Sequence, residues 1–173
     1  MELLSGGPLP EETGETFYEN ARAKADFGRR RLGAGAGWVA GEDSGLEVDA
    51  LGGRPGIRSA RYAGEDASDA ENVAKLLGEL EGVPAASRTA RYVCELVCLG
   101  PGGEELLGSG TLAGAIAGAP RGKRGFGYDP VFVPAGESRT VAELGDAWKA
   151  ENSHRARAAR AFAARLRSRS QAL

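Results

Sequence analysis

Two acidic pairs in this chain carry the ligand types that metal-assisted phosphate chemistry requires. Glu42 and Asp43 follow a short predicted strand, and Glu11 and Glu12 stand just before a predicted helix. Mg²⁺ in phosphate sites is usually held by one or two carboxylates together with substrate oxygens. Acidic residues are also common in turns, where they do no more than solvate a loop. The two pairs therefore indicate a metal site only in combination with the residues around them.

A lysine and a late basic-aromatic cluster could supply the remaining chemistry. Lys24 lies one turn from Asn20 on the predicted helix, where its ammonium could neutralise phosphate charge. The late cluster combines rings, an acid and basic side chains: Phe126, Gly127, Tyr128, Asp129, Lys149, His154 and Arg155. A ring offers a stacking face worth ~1–3 kcal/mol per base, and Arg or Lys can donate to a 6-oxo purine. Core packing of Phe126 and Tyr128, and capping by His154, are the structural alternatives.

Capping signals predict the helices that position these residues. Each signal pairs a Ser or Thr with a Glu three residues later: Thr16 with Glu19, Ser68 with Glu71, and Thr140 with Glu143. The helices they open are predicted to end near Leu32, Leu80 and Leu144. A final helix is predicted over residues 154–168. Its apolar stripe consists of Ala156, Ala159, Phe162, Ala163 and Leu166.

Four extended runs are predicted at residues 38–40, 46–51, 91–99 and 105–116. A tight turn at Ser44-Gly45 is expected to separate the first two runs, and glycines interrupt the last one. Residues 91–99 are apolar on both faces, which is typical of a central strand. Helices interleaved with strands, some of them joined as hairpins, predict an α/β protein with a mixed sheet.

Composition bounds the class of protein and its compartment. The 173 residues carry a net charge of −2 and include 27 glycines, which indicates one domain (residues 1–173) with many tight connections. The acidic balance argues against a nucleic-acid polymer as the ligand. Cys94 and Cys98 lie too far apart on one predicted strand for a disulfide, and no apolar run could span a membrane. We therefore expect a soluble, cytoplasmic protein with no membrane partner.

No Walker loop, zinc-ligand spacing or Rossmann glycine motif occurs in the sequence. The spacing of the candidate residues alone indicates an α/β protein, with a Mg²⁺-dependent nucleotide enzyme as the hypothesis. Four stretches then add a resemblance, in this order: ETGETFYENARAKA, EDSGLEVDALGGRPGIRSARYAG, GFGYDPVFVP and SHRARA.

These stretches resemble the inosine triphosphate pyrophosphatase family, the XTP/dITP diphosphatases, over about residues 11–162. The resemblance implies an elongated α/β fold around a long mixed sheet, with a cleft between two lobes. It also implies Mg²⁺-dependent hydrolysis of non-canonical purine nucleoside triphosphates to the monophosphate and pyrophosphate. Family members are usually homodimers.

The resemblance also implies roles for individual residues. Asp43 resembles the catalytic acid, which accepts a proton and binds metal, and Lys24 matches the phosphate-contacting lysine of the same centre. Glu11 matches the metal-binding glutamate, with Glu12 beside it. Glu42 stands where the family has an aspartate, and its longer arm could still reach the metal. The residues matched to substrate binding are Ser44, Phe126, Gly127, Tyr128, Asp129, Lys149, His154 and Arg155.

The chain departs from the family pattern at its beginning. The family starts with a strand and a T/S-x-N-x-x-K turn that holds the triphosphate, and residues 1–10 contain no such motif. We expect that the sequence is truncated there. The alternative is a nucleotide-binding protein with weak or no catalysis. A third hypothesis is a phosphatase that acts on other phosphate esters and releases orthophosphate.

The enzymatic hypothesis makes a geometric demand on the fold. Asp43 should lie beside Lys24, and this pair should face Tyr128 and His154 across a single groove.

Overall fold

The structure, a computed structural model, describes residues 10–33 and 37–170. Residues 1–9, for which the sequence predicts a loop in place of a phosphate-binding unit, lie outside the described residues. The described helices are α1 (Phe17–Leu32), α2 (Asp69–Glu79), α3 (Val141–Leu144), α4 (Asp146–Asn152) and α5 (His154–Ser170). The described strands are β1 (Val39–Val48), β2 (Thr89–Leu99), β3 (Glu105–Ile116) and β4 (Phe132–Pro134).

The four strands form one sheet in the order β1-β2-β3-β4, so neighbours in the chain are neighbours in space. The predicted α/β class is confirmed. Within the described residues all three pairings are antiparallel, and the predicted mixture of strand directions is wrong for this part of the sheet. Each connection returns the chain beside the strand it has just left, whereas a parallel pair would need a crossover.

Strand β1 runs without interruption through Ser44 and Gly45, so the predicted turn at this position is wrong. Gly45 is required for a different reason. A Cβ on Gly45 would lie 2.4 Å from the carbonyl oxygen of Gly56 and 2.5 Å from the Ser59 hydroxyl oxygen. The glycine therefore lets a short 3₁₀ segment, Gly56–Arg61, approach the strand closely. This segment later contributes Ser59 to the candidate site.

Two more strand glycines bring helices against opposite faces of the sheet. A Cβ on Gly41 would lie 2.1 Å from the carbonyl oxygen of Ala21 in α1. A Cβ on Gly110 would lie 2.1 Å from the carbonyl oxygen of His154 in α5. In the strand register Gly110 pairs with Cys94, and Cys94 pairs with Ser44, so these three residues point to one face of the sheet. Gly41 lies three residues before Ser44 and therefore points to the other face. Because side chains alternate along a strand, α1 and α5 cover opposite faces.

All three Ser or Thr residues predicted to cap helices do so. The hydroxyl of Thr16 accepts from the Glu19 amide, and Ser68 and Thr140 each form the complete reciprocal pair with their glutamates. These signals work from sequence alone because both partners lie within one turn. The stripe predicted on α5 is shifted: Ala158 is buried against the sheet, while Ala159 is exposed.

The main core lies between the sheet and α2. It includes fully buried Leu46 and Val48 of β1, Leu76 and Leu80 from the α2 region, and Phe132 of β4. Each such side chain contributes about 1.5–3 kcal/mol through burial. Because β1 supplies part of this core, the segment that carries the candidate acids is held firmly in register.

Cys94 and Cys98 are buried and unlinked, as the spacing predicts. Burial raises the pKa of the Cys94 thiol to about 12, and the neighbouring Glu42 carboxylate adds to this rise. Cys94 is therefore a protonated thiol at neutral pH. In the described part of the chain, no helix has the length and apolar character that crossing a membrane would need.

Candidate active site

Two carboxylates and one ammonium group meet where α1 packs on β1. The Lys24 Nζ lies 2.7 Å from Asp43 Oδ1 and 2.6 Å from Glu12 Oε1, and it donates to the main-chain oxygen of Glu42 at 3.2 Å. Arg61 holds the other oxygen of Glu12 at 2.6 Å. Asp43 is 7% exposed, so this acid is largely withdrawn from solvent. The geometry places Asp43, Lys24 and Glu12 in one centre.

Asn20 orders this centre from the buried side of α1. Its side-chain nitrogen donates to Asp43 Oδ2 at 3.3 Å, and its side-chain oxygen accepts from the Gly14 amide at 2.9 Å. The residue is 1% exposed. One amide group therefore links Asp43 to the loop that carries Glu12. The sequence placed Asn20 and Lys24 on one helix face but did not indicate this role.

Burial and charge act in opposite directions on the two acids. Burial raises the pKa of Asp43 and outweighs the hydrogen bond and charge of Lys24. Burial also opposes ionisation of Glu12, but Lys24 and Arg61 together outweigh it, and the pKa of Glu12 is lowered. Asp43 is thus the acid of this pair whose pKa lies above its ordinary value. A general base needs that property.

The donor set of this centre fits a hard divalent cation. Glu12 and Asp43 present carboxylate oxygens to one point, which the Lys24 ammonium now occupies. Mg²⁺ commonly uses one or two carboxylates and takes its remaining ligands from phosphate and water. Within the described residues no group of three or more His, Cys, Asp or Glu side chains is arranged to hold a metal. Among the described residues, Glu12 and Asp43 are the two carboxylates that could hold such an ion together with substrate oxygens.

Glu11 and Glu42, both predicted as metal ligands, lie outside this convergence. Glu11 is exposed, and its neighbour Glu12 is the residue that turns toward Lys24. Glu42 extends to the opposite face of β1, where Arg155 Nε lies 3.1 Å and 3.2 Å from its two oxygens. Successive strand side chains point to opposite faces, so Glu42 and Asp43 cannot share one ligand position.

A second cluster occupies that opposite face and borders a cavity of about 150 Å³. Typical drug-sized pockets are roughly 300–1,000 Å³, so this cavity suits a single ring system better than a whole nucleotide. Its lining includes the predicted Ser44, Phe126, Gly127, Tyr128, Asp129, Lys149, His154 and Arg155. The fold thus brings together all eight residues that the sequence assigned to the substrate.

Phe126 forms an exposed stacking platform at this cavity. The residue is 56% exposed, Lys149 Nζ lies 3.6 Å from the ring centroid, and Arg155 Cζ lies 5.3 Å from it. Lys149 also forms a salt bridge with buried Asp129, whose carboxylate accepts from the Phe126 amide at 2.9 Å. Asp129 therefore fixes the loop and the lysine together. The packing alternative is wrong for Phe126.

Tyr128, in contrast, is a buried residue of the cavity wall. Its hydroxyl donates to the main-chain oxygen of Ser59 at 2.9 Å, and it is 4% exposed. Burial raises the pKa of Tyr128 well above its ordinary value, so the hydroxyl stays protonated. The alternative considered for Tyr128, packing in the core, therefore matches its buried position.

His154 lines the cavity as a neutral imidazole. It stacks on Tyr92 with ring centroids 4.7 Å apart, and it is 4% exposed. Its Nδ1 is the one buried side-chain polar atom without a hydrogen-bond partner within residues 10–33 and 37–170. A buried polar atom of this kind is costly unless a ligand or water satisfies it. Tyr92, Ser59, Asp69 and Asn72 are lining residues that the sequence analysis missed, because their link to the site is purely tertiary.

The pKa of His154 predicts a pH dependence of stability. Burial, together with the nearby Arg155 charge, lowers this pKa to about 3. The unfolded chain, with a histidine pKa of about 6.5, binds a proton that the folded chain refuses. The contribution of His154 to the free energy of unfolding is therefore fully present above about pH 6.5. Below about pH 6.5 it falls by about 1.4 kcal/mol per pH unit. Urea unfolding should show that wild type loses about 2 kcal/mol more than His154→Gln between pH 6.5 and pH 5. Parallel losses in the two proteins would contradict this assignment.

The two clusters do not face each other across one groove, as the sequence analysis expected. Asp43 and Lys24 are adjacent as predicted, but Asp43 and the cavity lie on opposite faces of β1. Glu42 joins them, because its main-chain oxygen contacts Lys24 while its carboxylate contacts Arg155. In the part of the sheet that the structure describes, β1 is an edge strand. A ligand could therefore reach both clusters by passing over this edge.

Comparisons with known proteins show which family this chain resembles. The Ham1 family model matches residues 2–165 of the chain. A dITP/XTP pyrophosphatase from Bdellovibrio bacteriovorus is 48% identical over 167 residues, which cover 96% of this chain and 82% of the relative. The dITP/XTP pyrophosphatase from Geobacillus kaustophilus is 55% identical over 151 residues, covering 87% and 72%.

The fold is also similar to solved structures. The Staphylococcus aureus Ham1 protein superimposes with a TM-score of 0.84 at 43% identity, covering 92% of this chain and 80% of that one. A HAM1 protein from Coxiella burnetii gives a TM-score of 0.83 at 39% identity, covering 93% and 81%.

Proposed function

This chain belongs to the Ham1 family, and on that premise we propose that it hydrolyses non-canonical purine nucleoside triphosphates. The substrates are ITP, dITP and XTP, and the products are the nucleoside monophosphate and pyrophosphate. The observation that carries the proposal is the convergence of Asp43, Glu12 and Lys24 on one face of β1, with a base-sized cavity on the other face of the same strand. The names of the relatives support the same reaction.

In the proposed mechanism, Asp43 accepts a proton from a water molecule. The water oxygen bonds to the α-phosphorus, the bond from that phosphorus to the bridging oxygen breaks, and pyrophosphate leaves. Asn20 and Lys24 hold the Asp43 carboxylate in place before the reaction. Lys24 neutralises phosphate charge once substrate competes for its ammonium. Mg²⁺ bound by Glu12 and Asp43 would offset the negative charge of the phosphates.

Base selection is assigned to the cavity. Phe126 supplies an aromatic face, and Lys149 and Arg155 place their donor groups 3.6 Å and 5.3 Å from its ring centroid. A 6-oxo purine can accept from such donors, whereas the 6-amino group of adenine would meet another donor. Neutral His154 can offer Nδ1 to a ligand that satisfies it.

The identity of the released phosphate tests the proposed reaction. ITP incubated with the chain and Mg²⁺ should yield IMP and pyrophosphate in equal amounts, with orthophosphate appearing only after inorganic pyrophosphatase is added. ATP at the same concentration should be hydrolysed at least tenfold more slowly, since a misplaced hydrogen-bonding group costs that much or more. Direct orthophosphate release would favour the phosphatase hypothesis. Tight ITP binding without turnover would favour a nucleotide-binding protein.

We also propose that the protein is a cytoplasmic homodimer. The buried free thiols Cys94 and Cys98 support a reducing compartment. The family resemblance supports the dimer, and light scattering on the purified chain would measure its mass directly.

A further inference from the structure

The carboxylate of Glu42 contacts Arg155, a lining residue of the base cavity, and not the acid centre. Both of its carboxylate oxygens lie within 3.2 Å of Arg155 Nε, and Oε1 also accepts from the Cys94 thiol at 3.6 Å. Toward Lys24, only its main-chain oxygen is presented. The side chain therefore has its partners on the face of β1 that carries the cavity.

Arg155 is held by two neighbouring strand positions. Nε is bound by Glu42, and Nη2 donates to the Ser44 hydroxyl at 2.8 Å. Within the described residues Nη1 makes no hydrogen bond to protein, and the guanidinium carbon lies 5.3 Å from the Phe126 ring centroid. An arginine side chain has many rotamers, and fixing it without such anchors would cost binding free energy. The anchors hold the guanidinium over the stacking platform with one nitrogen left for a ligand.

We propose that Glu42 is a positioning residue that holds Arg155 for recognition of the purine base. This inference rests on the proposed function, since it concerns the selectivity of that same cavity. It replaces the metal-ligand role expected for Glu42 from the sequence. Glu42 acts through Arg155 and does not itself touch substrate.

Binding of IMP in the presence of EDTA tests this role without metal or turnover. IMP has the base but lacks the β- and γ-phosphates, so its affinity reports on the cavity. Glu42→Gln should weaken IMP binding about tenfold by calorimetry, the loss expected from weakening a charged hydrogen bond. In the Arg155→Gln background, Glu42→Gln should change IMP affinity less than twofold, because the residue acts through Arg155. Equal losses in both backgrounds would overturn the inference.

Glu47→Gln is the matched control. Glu47 lies on the same strand and pairs with Arg91 at 2.7 Å, away from the cavity lining. This variant should bind IMP as wild type does, and a loss equal to that of Glu42→Gln would refute a specific role.

Kinetics separate the positioning role from a metal role. Glu42→Gln should raise KM for ITP and lower the preference for ITP over ATP about tenfold, with an unchanged Mg²⁺ concentration at half-maximal rate. A raised Mg²⁺ requirement with unchanged IMP affinity would overturn the inference and support a metal-ligand role for Glu42. If wild type binds IMP but does not hydrolyse ITP, the proposed reaction fails while the binding comparison still decides the role of Glu42.

Discussion

Asp43→Asn is expected to lower kcat for ITP hydrolysis by about 10²–10⁴-fold, the usual contribution of a general base. The substitution keeps the size of the side chain and its contact with Asn20 but removes the carboxylate that accepts the proton. Burial raises the pKa of Asp43, which favours proton acceptance by this carboxylate, whereas Lys24 and Arg61 lower the pKa of Glu12. The rate is measured as pyrophosphate release at saturating ITP and Mg²⁺.

The loss should come from chemistry and not from unfolding. Lys24 keeps its 2.6 Å contact with Glu12 when the Asp43 charge is removed, so no buried cation is left alone. The melting temperature should therefore change by only a few degrees. Asp26→Asn serves as the matched control, because Asp26 is a half-buried acid on α1, the helix that carries Lys24. This variant should keep wild-type activity. Hydrolysis by Asp43→Asn within a few-fold of wild type would remove Asp43 from the proposed role.

Gly41→Ala is expected to damage both stability and activity, although it adds only one methyl group. That Cβ would lie 2.1 Å from the Ala21 carbonyl oxygen and 2.5 Å from the Ala25 amide nitrogen. Both contacts are with backbone, so α1 must move away from β1. Overpacking of this kind costs about 1–3 kcal/mol. Because α1 carries Lys24, a shift of about 1 Å should lower kcat/KM roughly 10²-fold.

Gly78→Ala provides the comparison for this prediction. Gly78 lies in α2 with nothing within 4 Å of an added Cβ, so alanine should stabilise the helix by about 0.5–1 kcal/mol. Denaturant unfolding and ITP kinetics on both variants make the test. A Gly41→Ala protein with wild-type stability and activity would show that the packing of α1 on β1 does not set the geometry of the centre.

Helix starts and residue chemistry were predictable from the sequence. The Ser68–Glu71 and Thr140–Glu143 pairs cap helices in the structure because each pair is local, and local preference was not overridden by packing. The long motifs indicated the family, and the eight residues that they match to substrate binding line one cavity. A sequence motif identifies which residue types form the site, but it contains no information on the distances between them.

Tertiary structure decided how the acids are divided and why the glycines are there. Glu42 and Asp43 are adjacent in sequence, yet strand alternation sends one to Arg155 and the other to Lys24. The Ser44-Gly45 pair has the composition of a turn, but close contact with Gly56 and Ser59 makes Gly45 part of a continuous strand. Which face a side chain occupies, and what approaches a glycine, depend on segments distant in the chain. Such long-range packing leaves no local signal, so residue types came from sequence and their grouping came only from the fold.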